Sequence, residues 1–135
     1  MTTYTFTNVT ADHTIAASFA ADTFTITTTT GGVDPVGATV NCGDDATFSI
    51  TPPPCHHIAD VAVDGQSVGP VTSYTFTNVT ADHTIGAAFV VDSFTITATA
   101  GPGGTINPAG SVAVNCGADQ AFTITPGTCS AIEDV

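Results

Sequence analysis

A chain of 135 residues with twelve Asp and Glu and no Lys or Arg carries a formal charge of −12. It repels phosphate unless a cation intervenes, which makes nucleic acid and anionic membrane surfaces poor partners. Without lysine there are no Lys–Asn isopeptide staples and no Schiff-base chemistry, and a threonine-rich, apolar composition with few charge runs argues against disorder.

In chain order, Tyr4 and Phe6 alternate with Thr3, Thr5 and Thr7, which predicts a strand with one buried face. Residues 10–13 make a turn, and Thr14 to Phe19 returns with Ile15 inward. Phe24 and Ile26 lead the next strand through a threonine run to Gly31-Gly32. Ala38, Val40 and Cys42 share one face of a short strand, closed by Gly43-Asp44-Asp45. Phe48 and Ile50 alternate with Thr47, Ser49 and Thr51 before the break at Pro52-Pro53-Pro54. Residues 57–63 form a further strand, and Val63-Asp64-Gly65-Gln66 is a strong tight-hairpin signal.

After Gly69-Pro70 the sequence starts again. Residues 74–85 repeat residues 4–15 without a change, and Phe-Thr-Ile-Thr opens at Phe24 and again at Phe94, 70 residues on. Val-Asn-Cys-Gly at 40–43 recurs at 114–117, a shift of 74 produced by a longer loop at 101–110. A fixed period of this size marks a repeat architecture. Units this small barely outweigh chain entropy, so extra fastening is expected. β-Branched residues and threonine dominate, Gly and Pro punctuate the strands, and no helix is predicted. The expected fold is all-β, built of tandem small β-sandwich or β-grasp-like repeat modules stacked head to tail. Residues 1–20 are the C-terminal strands of a split repeat, 21–90 a complete repeat, and 91–135 the N-terminal strands of a further repeat.

The ordered string Phe-Thr-Ile-Thr, Gly-rich turn, Val-Asn-x-Gly, Phe-x-Ile-Thr-Pro, Val-Asp-Gly, Ser-Tyr-Thr-Phe-Thr-Asn-Val-Thr-Ala-Asp-His-Thr-Ile resembles the divergent internalin-type B-repeats of bacterial surface and secreted proteins. The resemblance covers essentially the whole chain. It implies a small β-rich module used in tandem as a stalk, spacer or adhesive array, with no shared catalytic residues. Where those repeats carry Gly-Tyr after Thr-Pro, this chain has Pro54-Cys55-His56-His57 and Thr128-Cys129-Ser130-Ala131. The cysteines thus stand in place of a packing aromatic.

A half-repeat exposes strand edges and half a core, which invites pairing with another chain. One subunit would receive residues 1–19 of the next as its missing strands, a head-to-tail contact that does not close and so gives a filament. Tyr4, Phe6, Ile15, Phe19, Phe122 and Ile124 are the assembly positions on this reading. The alternative is that the sequence is a window of a longer tandem array.

Cys42 and Cys55 are 13 apart, as are Cys116 and Cys129, and the simplest pairing is within each unit. The intervening strand, at about 3.3 Å per residue, separates each such pair by roughly 20 Å, against the ~4.4–6.8 Å between Cα atoms that a disulfide spans. This favours Cys55 bonded to Cys116 between units, with Cys42 and Cys129 reaching neighbouring subunits. Intra-unit bonds, free thiols and metal ligation are the alternatives. Paired cysteines in a small acidic chain indicate an oxidising, extracellular or cell-surface setting.

Other chemistry is thinner. His56-His57 beside Cys55 suggests zinc, but the second copy has Ser130-Ala131 there, and a structural metal should recur with the repeat. Haem attachment by Cys-x-x-Cys-His has no match. Asp12-His13 and Asp82-His83 lie in turns with no recurring nucleophile beside them, so they read as turn residues and the chain as no enzyme. Expected cofactors are none, with calcium as the alternative on the carboxylates of Asp44-Asp45 or Asp60 and Asp64. Asn8-Val-Thr and Asn78-Val-Thr fit the glycan acceptor sequon. Two functions follow. The first is a structural subunit or repeat segment of an extracellular filament or stalk, partnered by copies of itself. The second is an adhesin-type module contacting carbohydrate or a host surface. Tyr4, Tyr74 and the phenylalanines fall in core-facing patterns, which disfavours a sugar-stacking platform.

Overall fold

The structure is a computed structural model that describes residues 2–135. The chain is all-β, with twelve strands and no helix among the described residues: β1 (Thr23–Thr28), β2 (Val33–Asp34), β3 (Ala38–Asn41), β4 (Ala46–Ile50), β5 (His56–Val63), β6 (Gln66–Gly69), β7 (Ser73–Phe76), β8 (His83–Val91), β9 (Ser93–Ala98), β10 (Gly104–Asn107), β11 (Gly110–Asn115) and β12 (Thr123–Pro126).

Strands β1–β8 make two sheets, a five-stranded one in the order β3-β1-β8-β5-β6 and a three-stranded one in the order β2-β4-β7. The period-two alternation turns one side of each sheet inward. Ile26, Val40, Val61 and Ile85 from the larger sheet meet Val33, Phe48, Ile50 and Phe76 from the smaller in a single core, with Val79 fully enclosed beside them. The β5–β6 turn is the tight hairpin expected, with Asp64 and Gly65 both at positive φ (50° and 78°), as a two-residue primed turn requires. One pairing has no signature in the sequence. β1 and β8 run parallel, Ile26 opposite His83 and Thr28 opposite Ile85, so the first and last strands of the unit lie side by side.

Strands β9–β12 replay the first four without the rest. β9 pairs β11 with Phe94 opposite Val114, as Phe24 lies opposite Val40 in β1–β3. β10 pairs β12 with Ile106 opposite Ile124, as Val33 lies opposite Ile50 in β2–β4. Each of these sheets has only two strands. β9 lacks the neighbour that β8 gives β1, and β12 lacks the one that β7 gives β4. Phe122 accordingly falls outside β12, whereas its counterpart Phe48 is ordered in β4 by the β7 ladder along Ala46–Ser49.

The N-terminal segment corrects an expectation. Residues 2–22 contain no strand, and Tyr4, Phe6, Ile15 and Phe19 do not form a buried face; Phe19 is 94% exposed and Ile15 67%. A strand is defined by a ladder partner, and residues 2–21 find none among the described residues of the chain.

Candidate assembly site and disulfide junction

The identical words at 4–15 and 74–85 fall in opposite surroundings and still hold one local shape. Tyr74 and Phe76 meet edge to face with ring centroids 4.9 Å apart, and Tyr4 and Phe6 do the same at 5.0 Å. Phe76 lies against His83 at 5.0 Å and Phe6 stacks on His13 at 4.9 Å. Asn78 and Asn8, at the turn between, have φ of 51° and 49°, a left-handed conformation that Asn tolerates better than most residues. Burial differs completely. Ile85 is 0% exposed and Phe76 5%, against 67% for Ile15 and 37% for Phe6.

The repeat shows what such a segment docks onto. In the complete unit, Asp82 Oδ1 accepts the backbone N–H of Thr25 (2.7 Å) and Asp45 Oδ1 accepts that of Asn78 (2.8 Å). The N–H of Gly43 donates to Val79 O (2.8 Å) and the N–H of Val79 to Asp44 O (3.0 Å). Both anchoring acids recur, as Asp12 and Asp119. Sequence reasoning placed Asp82 in a turn but missed that its carboxylate ties that turn to a distant strand. It also missed the Asp45 anchor on Asn78, for which the recurrence of Asp45 as Asp119 was the available signal.

On the incomplete side, Phe94 and Ile96 of β9 are exposed, whereas Ile26, the counterpart of Ile96, is wholly buried. A cleft of about 640 Å³ opens beside β10 and β12, lined among others by Ala100, Ile106, Ile124, Thr125, Pro126 and Cys129. At the corresponding place in the complete unit Phe89 backs onto Gly32 and lines a pocket together with Thr30, Thr51 and Pro52. Ile124 and Phe122 are half-buried.

The two units are joined by a disulfide between Cys55 and Cys116, with Cα atoms 5.5 Å apart. This bond runs between repeats and rules out the intra-unit pairing for both residues. A short backbone relay accompanies it. The N–H of Asp92 donates to Cys55 O (2.8 Å) and the N–H of Cys116 to Asp92 O (2.8 Å). His57 Nδ1 donates to Asp92 Oδ1 at 2.7 Å on the same junction. Cys42 and Cys129 are free and exposed.

The remaining candidate carboxylates accept hydrogen bonds from within the fold. Asp60 Oδ1 accepts from Ser67 Oγ (2.6 Å) and from the N–H of Gly69 (3.1 Å). Asp64 accepts from Thr84 N–H (2.8 Å) and from His83 Nδ1 (2.7 Å). The Thr84 amide first, and the His83 ring second, hold the Asp64 carboxyl below its ordinary value. Asp44 Oδ2 accepts from Asn41 Nδ2 (3.0 Å). Among the described residues no three His, Cys, Asp or Glu side chains gather as a metal site. Asn8 and Asn78 are both exposed.

Fold and junction together define an all-β chain with a disulfide between its repeats and unpaired strand edges. No family model, curated protein or solved structure matches the chain.

Proposed function

We propose that the protein is a structural subunit of an extracellular filament or surface stalk, in which residues 2–21 of one copy complete the repeat begun at 91–135 of another. The observation that carries this reading is the shape of residues 4–13. Without a sheet, they already hold the aromatic and turn geometry that residues 74–83 show in the complete unit.

On this reading the docked segment takes the register of the complete unit. Tyr4 lies opposite Phe122 and Phe6 opposite Gln120, as Tyr74 lies opposite Phe48 and Phe76 opposite Ala46. His13 lies opposite Ile96 and Ile15 opposite Ala98 in a parallel pair, as His83 lies opposite Ile26 and Ile85 opposite Thr28. Asp12 reaches the N–H of Thr95, Asp119 reaches the N–H of Asn8, and Phe19 enters the cleft beside Ile106 and Ile124. Burying Phe6, Val9, Ile15 and Phe19 contributes about 1.5–3 kcal/mol for each side chain that becomes fully enclosed. A donor that is partly pre-shaped loses less entropy on docking. Several substitutions distinguish this interface from the complete unit, with Ala98 for Thr28, Gln120 for Ala46 and Thr105 for Gly32 among them. Ala16 stands where Gly86 does, and a Cβ at Gly86 meets the Thr29 hydroxyl, so docking requires the hydroxyl of Thr99, the counterpart of Thr29, to turn aside from Ala16. Ala100 stands where Thr30 does, which removes the hydroxyl that accepts the Ala87 N–H.

Because the donor and acceptor surfaces differ, each copy can give at one end and receive at the other, which produces an open polymer. The cross-repeat disulfide is consistent with an oxidising setting outside the cell. Negative-stain microscopy and sedimentation of the wild type against Ile15→Asp and Phe19→Asp test the reading. Both side chains are exposed in the single chain, so the variants should fold while failing to polymerise. Dispersed wild-type monomers at high concentration, or aspartate variants that polymerise as well as the wild type, would overturn it.

A further inference from the structure

We infer that Cys129 of one copy and Cys42 of the next are the two halves of an intermolecular disulfide, the counterpart between subunits of Cys55–Cys116 within the chain. This rests on the strand donation proposed above, and it assigns a partner to each free thiol.

Both halves are already formed. Cys55 and Cys129 occupy equivalent turns with φ of 62° and 61°, a left-handed conformation uncommon for cysteine. In each turn the following amide bonds back, His56 N–H to Pro53 O (3.2 Å) and Ser130 N–H to Gly127 O (3.1 Å). On the other side, Cys116 N–H donates to Asp92 O and Cys42 N–H donates to Asp22 O, each at 2.8 Å. The turns that follow these cysteines match as well, with Ala118 N–H to Asn115 O and Asp44 N–H to Asn41 O both at 3.0 Å. The relay at Cys55 is completed by Asp92 N–H, which donates to Cys55 O at 2.8 Å. The counterpart donor is Asp22 N–H, and its acceptor is the carbonyl of a Cys129, since the chain's own Cys55 is already engaged.

The connection through the donor strand makes the geometry follow. Residues 83–91 lead directly into Asp92, and so bring Asp92 to Cys55 and Cys116 to within bonding reach of it. Residues 13–21 lead in the same way into Asp22. When they dock on another copy's β9, Asp22 arrives at that copy's Cys129, and Cys42 arrives with it. Formation of the bond joins the two sulfurs and releases two protons and two electrons. A small-molecule disulfide such as oxidised glutathione accepts them, and is itself cleaved to two thiols through a mixed disulfide. Every subunit is then linked through Cys42 to one neighbour and through Cys129 to the other, and the covalent path runs the length of the polymer.

The test uses the full chain in a glutathione redox buffer, with non-reducing gels and mass spectrometry of the cross-linked peptides. The wild type should give a ladder whose only new bond is Cys42–Cys129. Cys42→Ser and Cys129→Ser each alter one exposed side chain and leave Cys55–Cys116 in place. Mixed in equal amounts they should stop at covalent dimers, at least about tenfold more abundant than in either variant alone, because docking raises the effective concentration of the two thiols. Cys42–Cys42 or Cys129–Cys129 bonds predominating would overturn the inference. Sedimentation of Cys42→Ser/Cys129→Ser reads strand donation separately. If that variant associates and the wild type forms no ladder, the covalent inference falls and the strand reading stands. If it does not associate and no ladder forms, both fall. A Cys42–Cys129 ladder without its association supports the junction and counts against strand donation as its cause.

Discussion

Phe6 stacks on His13 with ring centroids 4.9 Å apart although neither residue belongs to a sheet. The same pair in the second copy, Phe76 and His83, bridges β7 and β8 at 5.0 Å inside a packed unit. The local shape of this word is therefore encoded locally, in the Asn turn and the aromatic triplet, and docking has less order to create.

Truncation should separate the two copies by what each one packs against. Ile85→Ala removes a fully enclosed side chain and should destabilise the complete unit by about 2–5 kcal/mol. Ile15→Ala should leave unfolding of the dilute monomer within about 0.5 kcal/mol of wild type, as exposed sites do, and weaken self-association. Urea unfolding below the association range, paired with sedimentation above it, measures both.

Acid should act in part through Asp64, whose carboxyl is held low by the Thr84 amide and the His83 ring. A carboxyl with a depressed folded value adds stability above its unfolded value of 3.8, and that contribution is lost as pH falls through the folded value. The loss is expected at and below about pH 4. Asp64→Asn keeps an acceptor for Thr84 and removes the titration, so its denaturation midpoint should change less than the wild type's between neutral pH and that range. Equal pH dependence of the two would count against the assignment.

Removing the bond between repeats should fall hardest on β9–β12. Of these strands' hydrophobic side chains only Ala98 is buried, so they have little core of their own. Cys55→Ser/Cys116→Ser opens a closure between residues 61 apart in sequence, which chain entropy values at up to about 4 kcal/mol. Amide exchange should speed up across β9–β12, while the core amides of β1, β5 and β8 keep most of their protection.

Salt should promote polymerisation. Each copy carries −12 and no positive side chain other than protonated histidine, so copies repel and no Lys or Arg pair compensates. Raising ionic strength from 0.1 M to 1 M shortens the screening length from about 10 Å to about 3 Å. Light scattering should therefore rise with added NaCl. A fall would show an interface held by attraction between opposite charges.

Much of the architecture is legible in the residues themselves. Threonine alternating with Phe, Ile and Val specifies strands, the exact return of residues 4–15 at 74–85 specifies a repeat, and the strand between Cys42 and Cys55 keeps those two apart. These are local or periodic properties, and backbone geometry alone converts them into structure. Tertiary structure decided the rest. The parallel pairing of β1 with β8, the seating of the Asp82 carboxylate on Thr25 and the contact of His83 with Asp64 join residues that are 19 to 57 positions apart. An alternating pattern states which face a strand buries and leaves open which edge it joins. The same limit explains why Tyr4, Phe6, Ile15 and Phe19 read as a buried strand and stand exposed in the folded chain, since a strand forms only where another edge receives its hydrogen bonds.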